Sequence, residues 1–117
     1  MTKNNRYTKK ELVHIFACCN AKVATHDNNT MTIVCEKNSR EAMLFNLTGK
    51  YPGVIKKIDL LMKKIDDEGQ ALRHQVENLK HADDSLKPVV SKAIDKRVHK
   101  IHAMLKKLAT LINKCSY

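Results

Sequence analysis

Histidine and cysteine side chains give this chain its most obvious capacity for chemistry. His14 and Cys18 are four residues apart, which places them on one face of a helix, and Cys35 could approach them. Imidazole and thiolate are usual zinc ligands, so these three side chains are a candidate zinc site. The chain has no C-x-x-C pair, however, and Cys19, Cys35 and Cys115 fit equally well as small buried apolar residues. We therefore expect no metal site here.

A second possible ligand set follows one stripe of the last predicted helix. Asp95, His99 and His102 have the i, i+4, i+7 spacing of metal sites inside helical bundles. Lys96 and Lys100 stand among them, and their positive charge disfavours a cation. This stripe is interpreted as a solvated face with surface histidines.

Catalysis is not indicated by any motif. His14 with Cys18 is the only local pair of nucleophile and base, and it lacks the strand–loop context of known nucleophiles. Neither glycine-rich phosphate-binding motif is present. We expect a protein that is not an enzyme and that carries no cofactor.

The basic surface is the strongest chemical feature that is left. The chain has 22 Lys and Arg against 12 Asp and Glu, a net charge of +10. From Lys87 to Lys114 the last helix carries eight Lys or Arg and a single acid, Asp95. A stripe with this imbalance attracts phosphate backbones, acidic proteins or anionic lipids.

Composition discriminates among these partners. The long helices carry no aromatic residue for stacking on single-stranded nucleic acid, and arginines for reading bases are few. Membrane binding would need an apolar face that the helices already use for their own pairing. We expect a protein–protein interaction module that binds an acidic protein surface and regulates or inhibits its partner, as an effector, inhibitor or adaptor; non-specific binding to a nucleic-acid backbone is the alternative. The predicted partner-binding residues are Glu68, Arg73, Lys92, Lys96, Arg97, Lys100, Lys106 and Lys107.

Two long amphipathic helices must position these residues. Apolar side chains recur at steps of three and four on both sides of Asp83-Asp84-Ser85, which predicts an antiparallel, coiled-coil-like hairpin turning there. The first seam contains Ile55, Ile58, Met62, Ile65, Gly69, Leu72, Val76 and Leu79. The second contains Ile94, Val98, Ile101, Leu105, Leu108, Ile112 and Cys115.

Residues that flank the two seams predict the register of the hairpin and indicate that its two ends differ in how apolar they are. Folding about Ser85 brings Glu68 near Arg97, Arg73 near Asp95 and Asp66 near His102. Val54, Leu61, Met104 and Leu111 make a second apolar row at the open end alone, so that end requires a further layer. The tip buries little surface and Gly69 interrupts its seam, which favours a homodimer.

The N-terminal region supplies the further layer. Thr8 and Glu11 predict a capping box for a helix that runs to about Val23, followed by a polar turn at 26–29. Asn38 and Glu41 predict a second short helix over 42–47, with Gly49 as its stop and Pro52 at the start of the hairpin. The segment 30–36 alternates like a strand but has no evident strand to pair with, except across a dimer.

Together these patterns predict an all-α protein, with a helical cap region at 1–51 and a long hairpin at 52–117, and possibly one short strand. Four cysteines without a disulfide framework indicate a reducing, cytoplasmic location. No segment resembles a signal peptide or a membrane span, although delivery to a host cytosol by a signal-less secretion route is an alternative.

Overall fold

The computed structural model describes residues 7–38, 41–48 and 53–115, and within these ranges it has three helices and one three-stranded antiparallel sheet. The elements in chain order are α1 (Lys9–Cys18), β1 (Asn20–His26), β2 (Thr30–Asn38), β3 (Glu41–Thr48), α2 (Val54–His81) and α3 (Lys87–Cys115). The molecule is elongated, at 55 × 32 × 23 Å. The predictions made for Gly49 and Pro52 lie outside the described residues.

The two long helices lie where the seam pattern predicts them. Helix α2 has 28 residues and α3 has 29, so each is about 42 Å long at 1.5 Å per residue. The chain turns between them at the predicted acidic segment, where the Asp83 carbonyl accepts from the backbone amides of Leu86 at 2.8 Å and Lys87 at 3.1 Å. Pro88 lies in the first turn of α3, where a proline costs no helical hydrogen bond.

The prediction of an all-α fold is wrong, because the region between α1 and α2 forms a sheet. Strand β2 is the centre of this sheet and pairs with β1 on one side and β3 on the other, both antiparallel. The strand-like alternation at 30–36 therefore finds two partners inside its own chain. The predicted short helix over 42–47 is β3, and the predicted helix to Val23 ends at Cys18.

The error arose because the sequence of a single short segment does not distinguish a helix from a strand. The run Met43-Leu44-Phe45 is apolar without a break, so its periodicity does not separate a helix from a strand. In the structure its side chains alternate, with Phe45 buried and Leu44 exposed. Pairing with β2 settles the conformation, since Phe45 stands opposite Ile33 and Leu44 opposite Val34.

The start of α1 is formed as predicted. The Thr8 amide donates to Glu11 Oε1 at 3.0 Å, and the Glu11 amide donates to Thr8 Oγ1 at 3.1 Å. This reciprocal pair is a capping box, and it satisfies two amides that the first turn would leave without partners. Its fixed entry directs Leu12, Ile15 and Phe16 into the core.

One core joins the sheet, α1 and the open end of the hairpin. The inner face of the sheet and α1 close over the first turns of α2 and the last turns of α3. The buried residues are Leu12, Ile15, Phe16, Met31, Ile33, Cys35, Phe45, Leu47, Ile55, Ile58, Met62, Leu105, Leu108, Ala109, Ile112 and Cys115. Three members of the predicted second row, Val54, Leu61 and Leu111, pack against this cluster, so the open end does receive the layer that it requires.

The tip of the hairpin is not part of this core. No residue from Lys63 to Met104 is buried, although Ile65 and Ile101 pack partly against the core. Two predicted seam residues, Val76 and Val98, are 40% and 45% exposed. Helices α2 and α3 therefore leave the body of the protein as a two-helix arm with incompletely covered apolar side chains.

Candidate functional site

A strongly basic groove lies between α1 and α3 and has a volume of about 630 Å³. Its lining combines positive or titratable side chains with two small apolar ones, half-buried Val13 and exposed Ala17, which we call its apolar floor. The lining residues are Lys9, Lys10, Val13, His14 and Ala17 of α1, and His102 and Lys106 of α3.

Helical periodicity places these residues on facing surfaces. Lys10, His14 and Ala17 follow one another at four and three residues on α1, and His102 and Lys106 are four apart on α3. The neighbouring face of α1 is fixed in the core, which orients the groove face toward α3. The groove is thus a consequence of packing α1 across the end of α3.

The groove contains no acidic side chain. Within the described part of the chain, Lys9, Lys10 and Lys106 take part in no salt bridge. His14 contacts the exposed thiol of Cys18, with 3.9 Å between Nδ1 and Sγ. Three uncompensated ammonium groups above an apolar floor form a site for an anionic ligand that also has apolar groups.

Of the predicted binding residues, only Lys106 lines this groove. Lys92, Lys96 and Lys107 are exposed elsewhere on α3, and none of them pairs with an acid among the described residues. They extend the positive surface along α3 toward the tip. Arg73 is exposed on α2 and does not line this groove. It lines a different cavity, which is described below.

Three other predicted residues form a cluster that joins the two long helices. Glu68 pairs with Arg97, as the predicted register requires, and with Lys100 at 3.0 Å. Arg97 Nε also donates to Gln75 Oε1 at 2.7 Å. These groups hold α2 against α3 where no buried side chain does so, and Glu68 offsets one of the two positive charges. The predicted pairs of Arg73 with Asp95 and of Asp66 with His102 form no salt bridge in the described hairpin, and Asp66 instead accepts from Gln70 at 3.1 Å.

The cluster makes the stability of the arm sensitive to acid. The hydrogen bond from Lys100, with the nearby charges of Lys100 and Arg97, lowers the pKa of Glu68 below its ordinary value. The unfolded chain therefore takes up this proton at a higher pH than the folded chain does. The stability that ionised Glu68 contributes is present above its unfolded pKa, about 4.3, and is lost as the pH falls through the lower folded value.

We expect the loss of unfolding free energy caused by Glu68→Gln to be largest near pH 6 and to shrink as the pH falls below about 4.3, because protonation of wild-type Glu68 removes the same charge. Urea unfolding at pH 3, 4, 5 and 6 measures this difference. Glu77→Gln is the matched control, since Glu77 is exposed and pairs only within α2, with Lys80 and His81. A pH-independent difference between Glu68→Gln and the wild type would contradict the role given to this cluster.

The thiols and histidines do not assemble a metal centre within the described residues. No three His, Cys, Asp or Glu side chains there come together to hold an ion. Cys35 lies on the buried inner face of the sheet, where a hydrogen bond with the thiol of Cys19 and burial raise its pKa. Burial likewise raises the pKa of Cys115. Both behave as the small core residues that the sequence predicts.

Sequence reasoning missed Lys9 and Lys10 as site residues, and it considered His14 only as a metal ligand or a catalytic base. The available signal was the polar face of α1, which carries these three side chains with only Glu11 as an acid. Their combination with His102 and Lys106 depends on how α1 crosses α3, and no spacing within either helix encodes it.

Comparison with protein-family models, with curated proteins and with solved structures finds no match to this chain. Among the described residues, none of the helices combines the length and the apolar character needed to cross a membrane.

Proposed function

We propose that this protein is a binding module for an acidic, amphipathic segment of a partner protein, which it holds in the α1–α3 groove and thereby regulates. The observation that carries the proposal is the set of three uncompensated lysines above the floor of Val13 and Ala17. Lysines on the walls attract carboxylates, while the floor accepts aliphatic side chains. A groove between two helices also suits a third helix laid along it.

The apolar floor favours a protein ligand over a nucleic acid. A duplex presents phosphates to such a groove and has no aliphatic groups for its floor. Stacking on exposed bases is strongest on large aromatic rings, and no Phe, Tyr or Trp lines the groove. The net charge of +10 keeps non-specific binding to a nucleic-acid backbone as the second candidate.

The exposed lysines of α3 have a supporting part in this proposal. Lys92, Lys96 and Lys107 lie outside the groove but extend its positive potential along the arm. Charges in such a position accelerate the encounter with an acidic partner more than they tighten the complex.

Homodimerisation remains a prediction, and the tip is the surface that favours it. The seam residues Val76 and Val98 are 40% and 45% exposed on the arm. A second copy packed on the seam there would bury apolar side chains that the two-helix arm leaves in solvent.

The proposal is tested by comparing two synthetic ligands at increasing salt concentration. One is a 20-residue helical peptide with leucines on one face and glutamates on the other, called here the acidic helix peptide. The other is a 20-base-pair DNA duplex, with fluorescence anisotropy as the measurement for both. We expect the affinity for the peptide to fall roughly tenfold or less between 50 and 200 mM salt, because the apolar contacts are insensitive to salt.

The duplex is expected to lose ~10³-fold or more over the same range if it contacts six or more phosphates. A second peptide with the same glutamates and with serine in place of leucine is the matched control, and it should bind more weakly than the acidic helix peptide. Binding of the duplex but not of the acidic helix peptide at 150 mM salt would favour the nucleic-acid function and would contradict the proposal.

A further inference from the structure

A separate cavity lies beyond the end of α1, over the seam of the hairpin. It encloses about 310 Å³ at the point where α1 gives way to β1 and the core layer stops. Its deep wall includes Phe16 and Leu108 of the core, and its floor includes Ile65, Leu72 and Ile101 of the seam. The walls are therefore mainly apolar, as in the pockets that hold small molecules.

Gly69 creates the space in this cavity. It occupies a seam position where every other member of the α2 stripe carries an apolar side chain. A Cβ atom built at Gly69 would meet nothing within 4 Å, so the missing side chain is not replaced by a neighbour. Glycine also lowers helix stability by ~1 kcal/mol relative to alanine, a cost that nothing in the local packing offsets.

Two charged side chains flank Gly69 at the rim, one turn away on either side. Asp66 already accepts a hydrogen bond from Gln70. Arg73 lines the cavity and takes part in no salt bridge among the described residues. A guanidinium group binds carboxylates through two parallel hydrogen bonds, so the rim offers a carboxylate site at Arg73.

We propose that this cavity binds a straight-chain aliphatic carboxylate, with the chain along the seam beside Gly69 and the carboxylate on Arg73. The cavity of about 310 Å³ is open to solvent on one side, so it can take an aliphatic chain of medium length, for which decanoate is the probe. The rim carries one positive and one negative side chain, so the anionic head is placed on Arg73, on the other side of Gly69 from the Asp66 carboxylate. The cavity adjoins the α1–α3 groove at Ala17, which lines both, but Gly69, Arg73 and the seam residues line the cavity alone.

The test is isothermal titration calorimetry of the full chain with sodium decanoate. We expect one site per chain, and we expect butanoate to bind at least a hundredfold more weakly, since each buried methylene contributes ~0.8 kcal/mol. Decylammonium tests the selectivity of the head group and should bind at least tenfold more weakly than decanoate, because its head gains nothing from Arg73.

Two variants locate the site. Gly69→Leu fills the cavity and should abolish binding of decanoate, and Gly69→Ala, which adds only a methyl group, should weaken it. Arg73→Gln should weaken binding about tenfold, as expected for the loss of a charged hydrogen-bonding group. Lys92→Gln removes an equal charge from the distant surface of α3 and should leave binding unchanged. Circular dichroism checks that each variant keeps its helices.

Three results would overturn the proposal. They are the absence of saturable decanoate binding, unchanged binding in Gly69→Leu, and binding of decylammonium as tight as that of decanoate. Sedimentation of Gly69→Leu tests a fourth possibility, that a second copy of the chain covers the cavity. A change from dimer to monomer in this variant would indicate such a dimer and would also overturn the proposal. Binding of the acidic helix peptide is measured separately, so either proposal can fail without the other.

Discussion

Replacing Phe45 with alanine is expected to lower the free energy of unfolding by about 3–5 kcal/mol. Phe45 is 2% exposed at the centre of β3, opposite Ile33 of the middle strand. Its ring lies 5.7 Å from that of Tyr7 and 5.4 Å from that of Phe16, between ring centroids. The substitution removes contacts between the sheet and α1 and leaves a cavity that close-packed neighbours fill only in part.

Urea unfolding, followed by circular dichroism, measures this loss. Leu44→Ala is the matched control, because Leu44 precedes Phe45 on the same strand and projects from the opposite face, 53% exposed. The control should cost less than about 1 kcal/mol. Equal losses for the two variants would contradict the alternation of β3. A loss of this size is a large part of the stability of a small domain, so both variants and the wild type are unfolded in the presence of a stabilising osmolyte.

Reversing two charges in the α1–α3 groove is expected to weaken binding of the acidic helix peptide about 100-fold. The variant combines Lys10→Glu with Lys106→Glu, one change on each wall of the groove. Each reversal replaces an attraction to a carboxylate with a repulsion, at roughly 1.5 kcal/mol per contact. Both side chains are exposed and form no described ion pair, so folding should change little.

The matched control is Lys92→Glu with Lys96→Glu, which makes the same change in net charge on the arm outside the groove. We expect this control to slow association at low salt and to weaken binding less than about fivefold at 150 mM salt. Fluorescence anisotropy of the labelled peptide measures both variants. Equal losses would indicate that the peptide responds to total charge and does not occupy the groove.

The hairpin was predictable because its pattern is long and local. Residues such as Ile58, Met62 and Leu105 repeat at three and four over many turns, and the same pairing brings Glu68 to Arg97. Errors at single positions do not change such a repeat. The exposure of Val76 and Val98 was not predictable, because it depends on where the N-terminal layer ends.

The sheet could not be predicted as reliably as the hairpin, because it depends on pairing between separate segments. Strand β1 begins directly after Cys19 caps α1, and its Val23 and Thr25 can continue a helix or start a strand. The choice is made by β2, whose two edges satisfy the backbone groups of β1 and β3 together. A prediction that treats each segment alone finds no strand to pair with β2. It therefore rejects β2 as a strand and assigns the segments of β1 and β3 to helices.

The groove, like the sheet, could not be predicted from any single segment. The lysines of α3 stand out in the sequence as an uncompensated run, and Lys106 is among them. Lys10 and His14 look like an ordinary solvated face of α1 until that helix is placed across α3. The charge was therefore predictable, while the concave surface that concentrates it required the tertiary structure.

Lysine footprinting tests the central claim, occupation of the α1–α3 groove, most directly. The protein is acetylated briefly with and without saturating acidic helix peptide, and mass spectrometry measures the rate at each lysine. We predict that the peptide protects Lys9, Lys10 and Lys106 while Lys92 and Lys96 react at unchanged rates. Protection of Lys92 and Lys96 with unchanged reactivity at Lys10 and Lys106 would contradict the account.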